Sequence, residues 1–127
     1  MDNWQAQQAF WSGFSWPAYD DQTTFTEDDL PAYPHITYES VDGEFGGITT
    51  LAVHLWNRSE SWAEIKRKAA EIKAALVGGG TKLNTDTGQI WITIPDGISF
   101  AQPAPTGSDD ELVQRIMINV SAEFLSD

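Results

Sequence analysis

Two different hydrophobic periodicities in separate parts of the chain constrain its fold more than any other feature. Between residues 57 and 77, apolar residues recur at spacings of three and four, which places them on one face of a helix. The residues on that face are Trp62, Ile65, Ala69, Ile72 and Leu76. Near the C-terminus, apolar residues recur at every second position over Ile116–Phe124, as in a strand with one buried face. Together the two patterns predict a helix packed on a β-sheet.

Further strands are predicted on both sides of the helical segment. Residues 33–41 and 48–56 both alternate, and turn residues within 42–47 allow the two segments to form an antiparallel hairpin. After the helix, residues 90–94 alternate again, and residues 98–102 add a short strand. The sheet is therefore expected to be mainly antiparallel.

The helices have recognisable ends. The long helix is predicted at about 60–77, with Ser61 and Glu64 as a capping box and Gly78–Gly80 as its stop. A shorter helix is predicted for Asn3–Trp11, which is rich in helix-forming residues. The expected fold class is α+β: a mainly antiparallel β-sheet with helices packed on one face and one long central helix.

The chain of 127 residues has the usual size of one domain, so residues 1–127 are predicted to form a single domain. Two segments within it lack a sustained period. Residues 15–31 are predicted to form a long acidic loop with aromatic anchors, and residues 103–111 a mobile loop rich in proline and small residues.

Composition argues against several classes of function. The formal net charge of −12 would repel phosphate backbones, so sequence-specific nucleic-acid binding is not expected. The chain has no cysteine, hence neither a disulfide nor a thiolate metal site. No segment has the pattern of a signal peptide or the length of a bilayer span, so no membrane association is expected and a cytoplasmic site of assembly fits best.

Candidates for chemistry are few. His35 and His54 lie on the two strands of the predicted hairpin, where they could meet beside Glu39 or Glu44 in a metal or acid–base site. The alternative is that both are strand histidines hydrogen-bonded to their neighbours. No nucleophile has a convincing base beside it. We therefore predict no catalytic, cofactor-binding or metal-binding residues, and a protein that is not an enzyme.

Contact with other proteins is the better-supported expectation. Aromatic residues crowd into the first twenty positions, and tryptophan is a frequent interface residue. Five of the seven basic residues lie in or just before the long helix: Arg58, Lys66, Arg67, Lys68 and Lys73. Acidic residues concentrate in the loop at 15–31. The candidate interface residues are Trp16, Asp20, Asp21, Asp28, Asp29, Lys66, Arg67 and Lys73.

Four segments also resemble a known family. They are FWSGFSWPAY at Phe10–Tyr19, LPAYPHITYE at Leu30–Glu39, LWNRSESW at Leu55–Trp62 and VQRIMINV at Val113–Val120. In this order and spacing they resemble tail terminator proteins of long-tailed phages and prophages, which are also called tail completion or head–tail joining proteins. The resemblance covers nearly the whole chain.

This resemblance implies a structural role without catalysis or a cofactor. Members of the family form a ring, typically of six copies, that caps the finished tail tube, ends tube polymerisation and presents a surface to the head–tail connector. The implied partners are copies of the chain itself, the tail tube protein and the connector protein. The implied location is the virion tail, assembled in the host bacterial cytoplasm.

Electrostatics adds a hypothesis about such a ring. Copies that each carry a net charge of −12 would repel one another if the charge were evenly spread. Pairing of the basic stripe Lys66, Arg67, Lys68 and Lys73 with an acidic surface of the next copy would offset that repulsion. Two other readings stay open: another head–tail connector or tail-assembly chaperone, and a metal-binding or hydrolytic domain that uses His35 and His54.

Overall fold

Two helices and seven strands make up an α+β fold with a mixed, curled sheet in the computed structural model, which describes residues 1–126. In chain order the elements are α1 (Asn3–Ser12), β1 (Ala18–Asp20), β2 (His35–Tyr38), β3 (Ile48–Arg58), α2 (Ala63–Leu76), β4 (Thr81–Thr85), β5 (Gly88–Thr93), β6 (Ala101–Pro103) and β7 (Val113–Ser126). The α+β class predicted from the sequence is confirmed.

The C-terminal strand β7 organises the sheet. The strand order is β1-β2-β3-β7-β5-β4, and β6 also pairs with β7. The β1–β2 pair is parallel and the other pairs are antiparallel. β5 pairs with Ser121–Ser126, whereas β6 pairs with Ile116–Ile118. At the level of β6, the row of strands is therefore β1-β2-β3-β7-β6, with β1 and β6 at its two edges.

One hydrophobic core joins the sheet to both helices. The alternating residues of β7 and the apolar face of α2 both point into it, and Trp11 of α1 joins the same cluster. Ile65 and Ile72 of α2 and Ile118 of β7 are completely buried there. Neither helix of residues 1–126 is long and apolar enough to cross a membrane.

The long helix is shorter at its start than the sequence pattern predicts, because its cap differs. α2 begins at Ala63 instead of near residue 60, and its N-cap residue Trp62 makes no side-chain capping bond. Ser61 Oγ accepts from the backbone N–H of Ala63 at 3.1 Å. Glu64 accepts from Asn57 Nδ2 at 3.4 Å instead of closing a capping box. The predicted capping box is therefore wrong.

The acidic segment predicted as a loop at 15–31 contains a strand. β1 (Ala18–Asp20) pairs in parallel with β2, and this pairing makes the sheet mixed. Three residues are too few for an alternating pattern to show in the sequence. The second predicted loop has no helix or strand after Pro103 until β7 begins at Val113. Its mobility stays a prediction.

Because they differ in burial, two isoleucines on adjacent strands should contribute very differently to the free energy of unfolding. Ile118 on β7 has no exposed surface, whereas Ile48 on β3 is 65% exposed. Ile118→Ala should lower the free energy of unfolding by about 2–5 kcal/mol through lost burial and a residual cavity. Ile48→Ala, the matched control, should cost less than about 1 kcal/mol. Urea denaturation of both variants measures this, and equal losses would contradict the assigned strand faces.

Candidate interaction surfaces

Residues 21–34 form an acidic crossover loop between two parallel strands. Because β1 and β2 run in the same direction, the chain must return along the sheet before β2 can start. It returns over the open face of the sheet, which we define as the face opposite the hydrophobic core. There the Phe25 ring packs edge-on against Tyr19 at 5.2 Å, and Tyr33 contacts His35 at 5.3 Å between ring centroids.

A loop cavity of about 320 Å³ lies between this loop and the sheet. It is lined by Phe25, Leu30, Pro31, Tyr33, His35, Thr37 and Trp56. Its rim presents apolar groups to solvent, since Leu30 is 68% exposed and Tyr33 is 42% exposed. The acidic crossover loop thus carries exposed apolar side chains together with its charge.

Several carboxylates lie close together in sequence in this loop, and no basic side chain forms an ion pair with them within residues 1–126. Asp21, Glu27, Asp28 and Asp29 are exposed, and within residues 1–126 none of them forms an ion pair. Asp20 accepts a hydrogen bond from Ser40 Oγ. Partial burial raises the pKa of Asp21, and the negative charges of Asp20 and Glu39 raise it further. The hydrogen bond from Gln22 lowers it, but by less than the other effects raise it. The loop is therefore a surface of negative potential.

Helix α2 carries the opposite charge at another place in the fold. Lys66, Arg67 and Lys73, the basic helix surface, are exposed and form no ion pair in the described part of the chain. Lys66 and Lys73 are seven residues apart and lie on the same side of the helix. Lys73 borders the α2–β6 groove, a shallow cavity of about 340 Å³. The groove is lined by Ala69, Ala70, Lys73, Ser99, Phe100 and Ala101.

Two residues predicted for these surfaces lie inside the protein. Lys68 is only 9% exposed; its Nζ donates to the Phe14 carbonyl and, at 3.1 Å, to Glu71 Oε1. The same ammonium group lies 5.4 Å from the centroid of the Trp16 ring, and Trp16 is 7% exposed. Lys68 follows Ile65 by one helical turn, so its side chain starts beside the core. Lys68 is therefore not part of an exposed basic stripe, and Trp16 has little exposed surface with which to contact a partner.

The remaining predicted interface residues fall into two separated groups. Asp20 ends β1 on the same face as Ala18 and borders α1, and Asp21 follows it directly. Asp28 and Asp29 lie in the acidic crossover loop, which covers β2 and β3 on the open face. The basic helix surface lies on the core side, and its Lys73 borders the β6 edge. Across the row of strands, β1 and β6 are separated by four interstrand steps, roughly 19 Å. Within residues 1–126, no ion pair joins the two charged groups.

The two histidines do not converge on a metal or acid–base site. His54 Nδ1 accepts from Arg115 Nε at 3.2 Å, and the His35 ring stacks on Trp56 at 6.1 Å. Burial lowers the pKa of both histidines. At His54 the positive charge of Arg115 lowers the pKa further and Glu39 raises it slightly. At His35 the hydrogen bond to the Ala32 carbonyl acts against the lowering. Within residues 1–126, no three His, Asp or Glu side chains are grouped to hold a metal ion.

Sequence reasoning missed the apolar part of both surfaces. Leu30 had no periodic pattern to mark it, and the strands predicted at 33–41 and 98–102 did not show that Tyr33 and Ile98 are exposed. The only sequence signal is that Leu30 directly follows Asp28–Asp29 and precedes a proline, which places an apolar residue in an acidic turn.

Comparison with known proteins gives no further assignment. No protein-family model matches the chain, and no match was found among curated proteins or among solved structures.

The buried position of Lys68 predicts an asymmetry between two lysines of one helix. Lys68→Ala would leave the Phe14 carbonyl without its donor and should lower the free energy of unfolding by about 1–3 kcal/mol. Lys66→Ala, on the exposed side of the same helix, should change it by less than about 0.5 kcal/mol. Chemical denaturation of the two variants tests this. Equal stabilities would place Lys68 in solvent.

The lowered histidine pKa values predict weaker folding at mildly acidic pH. Because the folded pKa lies below the unfolded value of 6.5, the unfolded chain takes up more protons as pH falls through that value. The urea midpoint of the wild type should therefore fall between about pH 7.5 and about pH 5.5. In the double variant His35→Gln with His54→Gln, neither side chain can take up a proton in this pH range. Its urea midpoint should therefore fall less than that of the wild type. The same pH dependence in both proteins would contradict the prediction.

Proposed function

We propose that this chain is a tail terminator of a long-tailed phage or prophage, whose copies form a closed ring. The proposal is supported by the resemblance of four segments to that family. The structural observation that carries it is the pair of oppositely charged surfaces, the acidic crossover loop and the basic helix surface, which form no ion pair with each other among residues 1–126. Two different surfaces that fit each other produce a head-to-tail contact, and such contacts generate a ring when the rotation closes.

The proposed ring, of six copies in the family pattern, ends tube polymerisation by covering the last layer of tail tube protein. Its opposite side joins the head–tail connector. The protein would act in the virion tail, after assembly in the host bacterial cytoplasm, without catalysis or a cofactor. The same proposal includes the finer fold expectation of a mainly antiparallel sheet with its helices on one face and one central helix.

Charge distribution explains how such an acidic protein could pack against itself. Residues 1–57 contain no lysine or arginine, whereas four basic residues lie within α2. Like surfaces of two copies repel each other, which disfavours wrong contacts. A contact between unlike surfaces is attractive despite the net charge of −12. The charge pattern thus favours one relative orientation of neighbouring copies.

The proposal predicts both a ring and a capping activity. Light scattering over a range of protein and salt concentrations should give the mass of a closed ring of about six copies. Incubation with growing tubes of purified tail tube protein should stop elongation and leave the protein at tube ends. A chain that binds connector or unassembled tube protein without capping ends would instead be a connector or an assembly chaperone, and the terminator assignment would be wrong.

A further inference from the structure

We propose that neighbouring copies of this chain meet through one contact, in which the acidic crossover loop of one copy covers the α2–β6 groove of the next. Leu30 lies in the groove, while Asp28 and Asp29 face Lys66 and Lys73. The inference rests on the proposed ring and names the two surfaces that close it. The occupant of the groove is therefore a second copy of the same chain.

Apolar complementarity is the first argument for this contact. Leu30 is among the most exposed large apolar side chains of residues 1–126, and Pro31 restricts the backbone directly after it. The α2–β6 groove has an apolar floor, formed by Ala69, Ala70, Phe100 and Ala101. On the α2 side Ala69 and Ala70 have small side chains, so a partner side chain can approach the helix closely beside Lys73. A single exposed leucine next to a charged segment suits such a groove.

Charge complementarity is the second argument, and it gives the contact its direction. Lys66 and Lys73 lie before and after the two groove alanines of α2, about 10 Å apart along the helix axis. Asp28 and Asp29 directly precede Leu30, so a loop that places Leu30 in the groove also brings its carboxylates to the helix. Exposed ion pairs contribute little affinity, whereas charge complementarity steers and orients association. In this contact the apolar side chain therefore supplies affinity, and the charges supply register.

Topology is the third argument, because loop and groove on opposite faces of the sheet favour a ring over a two-fold pair. The acidic crossover loop lies over β2 and β3 on the open face, whereas the groove lies on the helix side at β6. A copy whose loop occupies its neighbour's groove leaves its own groove free for a third copy. The contact is heterologous, and repeated copies close into a ring or continue as a filament.

Charge-reversed subunits test this directly. The first variant, Lys66→Glu with Lys73→Glu, makes both surfaces acidic; the second, Asp28→Lys with Asp29→Lys, makes both basic. Neither variant should form rings alone. Mixed in equal amounts they should form rings again, because each variant's loop then fits the other's groove. All four positions are exposed, so both variants should fold like the wild type, which circular dichroism checks.

Matched controls separate surface from overall charge. Glu44→Lys with Glu111→Lys changes the net charge as much as the second variant does, at exposed positions outside both surfaces, and should leave ring formation intact. Lys82→Glu on β4 is the control for Lys66→Glu alone, which changes the net charge by the same amount. Leu30→Ser should abolish rings even at high salt, where charge effects are screened.

Ring formation is measured as the mass in solution. If the wild type assembles only on tubes, it is measured as the number of copies bound per tube end. Ring formation by either reversed variant alone, or no assembly in the mixture while the wild type assembles, would overturn the inference and leave the proposed function standing. A mixture that stops at a heterodimer would overturn the head-to-tail geometry. If the wild type neither forms rings nor caps tubes, the inference and the proposed function both fail.

Discussion

The β3–β7 ladder is the contact on which the rest of the fold depends. All eleven residues of β3 pair with β7, which is itself the longest strand of the sheet. The alternation of the two strands presents one continuous apolar surface, and α2 packs on it. Since β2, β5 and β6 all attach to this pair, a change that separated β3 from β7 would remove the support of nearly every other strand.

This ladder also sets the distance between the charged surfaces. The acidic crossover loop depends on β2, which pairs with one side of β3, whereas the α2–β6 groove depends on β6, which pairs with the far side of β7. The two surfaces are therefore held apart by hydrogen-bonded strands, not by flexible linkers. A rigid separation is what a repeating head-to-tail contact needs, because small errors in angle would otherwise accumulate around a ring.

The fold was predictable where periodicity spans many residues. β7, β3 and α2 were found because each repeats its apolar pattern over nine or more positions. β1 and β4 were missed: β1 has only three residues, and the five residues of β4 lie between glycines and turn residues. The helix cap was misjudged because Ser61 bonds to Ala63, two residues on, a choice that spacing alone does not distinguish. The α1 capping box of Asp2 and Gln5 was likewise not recognised.

For the candidate surfaces too, the sequence shows which residues are charged, but only the folded structure shows which of them are exposed. The charges of the acidic loop and of α2 were visible in the sequence, but the sequence could not tell Lys68 from Lys66. One points its ammonium at the Phe14 carbonyl and Trp16, and the other stays in solvent. Because Lys68 is buried, the exposed lysines of α2 are Lys66 and Lys73, which flank the two alanines of the groove. Burial thus turns a diffuse basic helix into a surface with an apolar centre and a charge at each end.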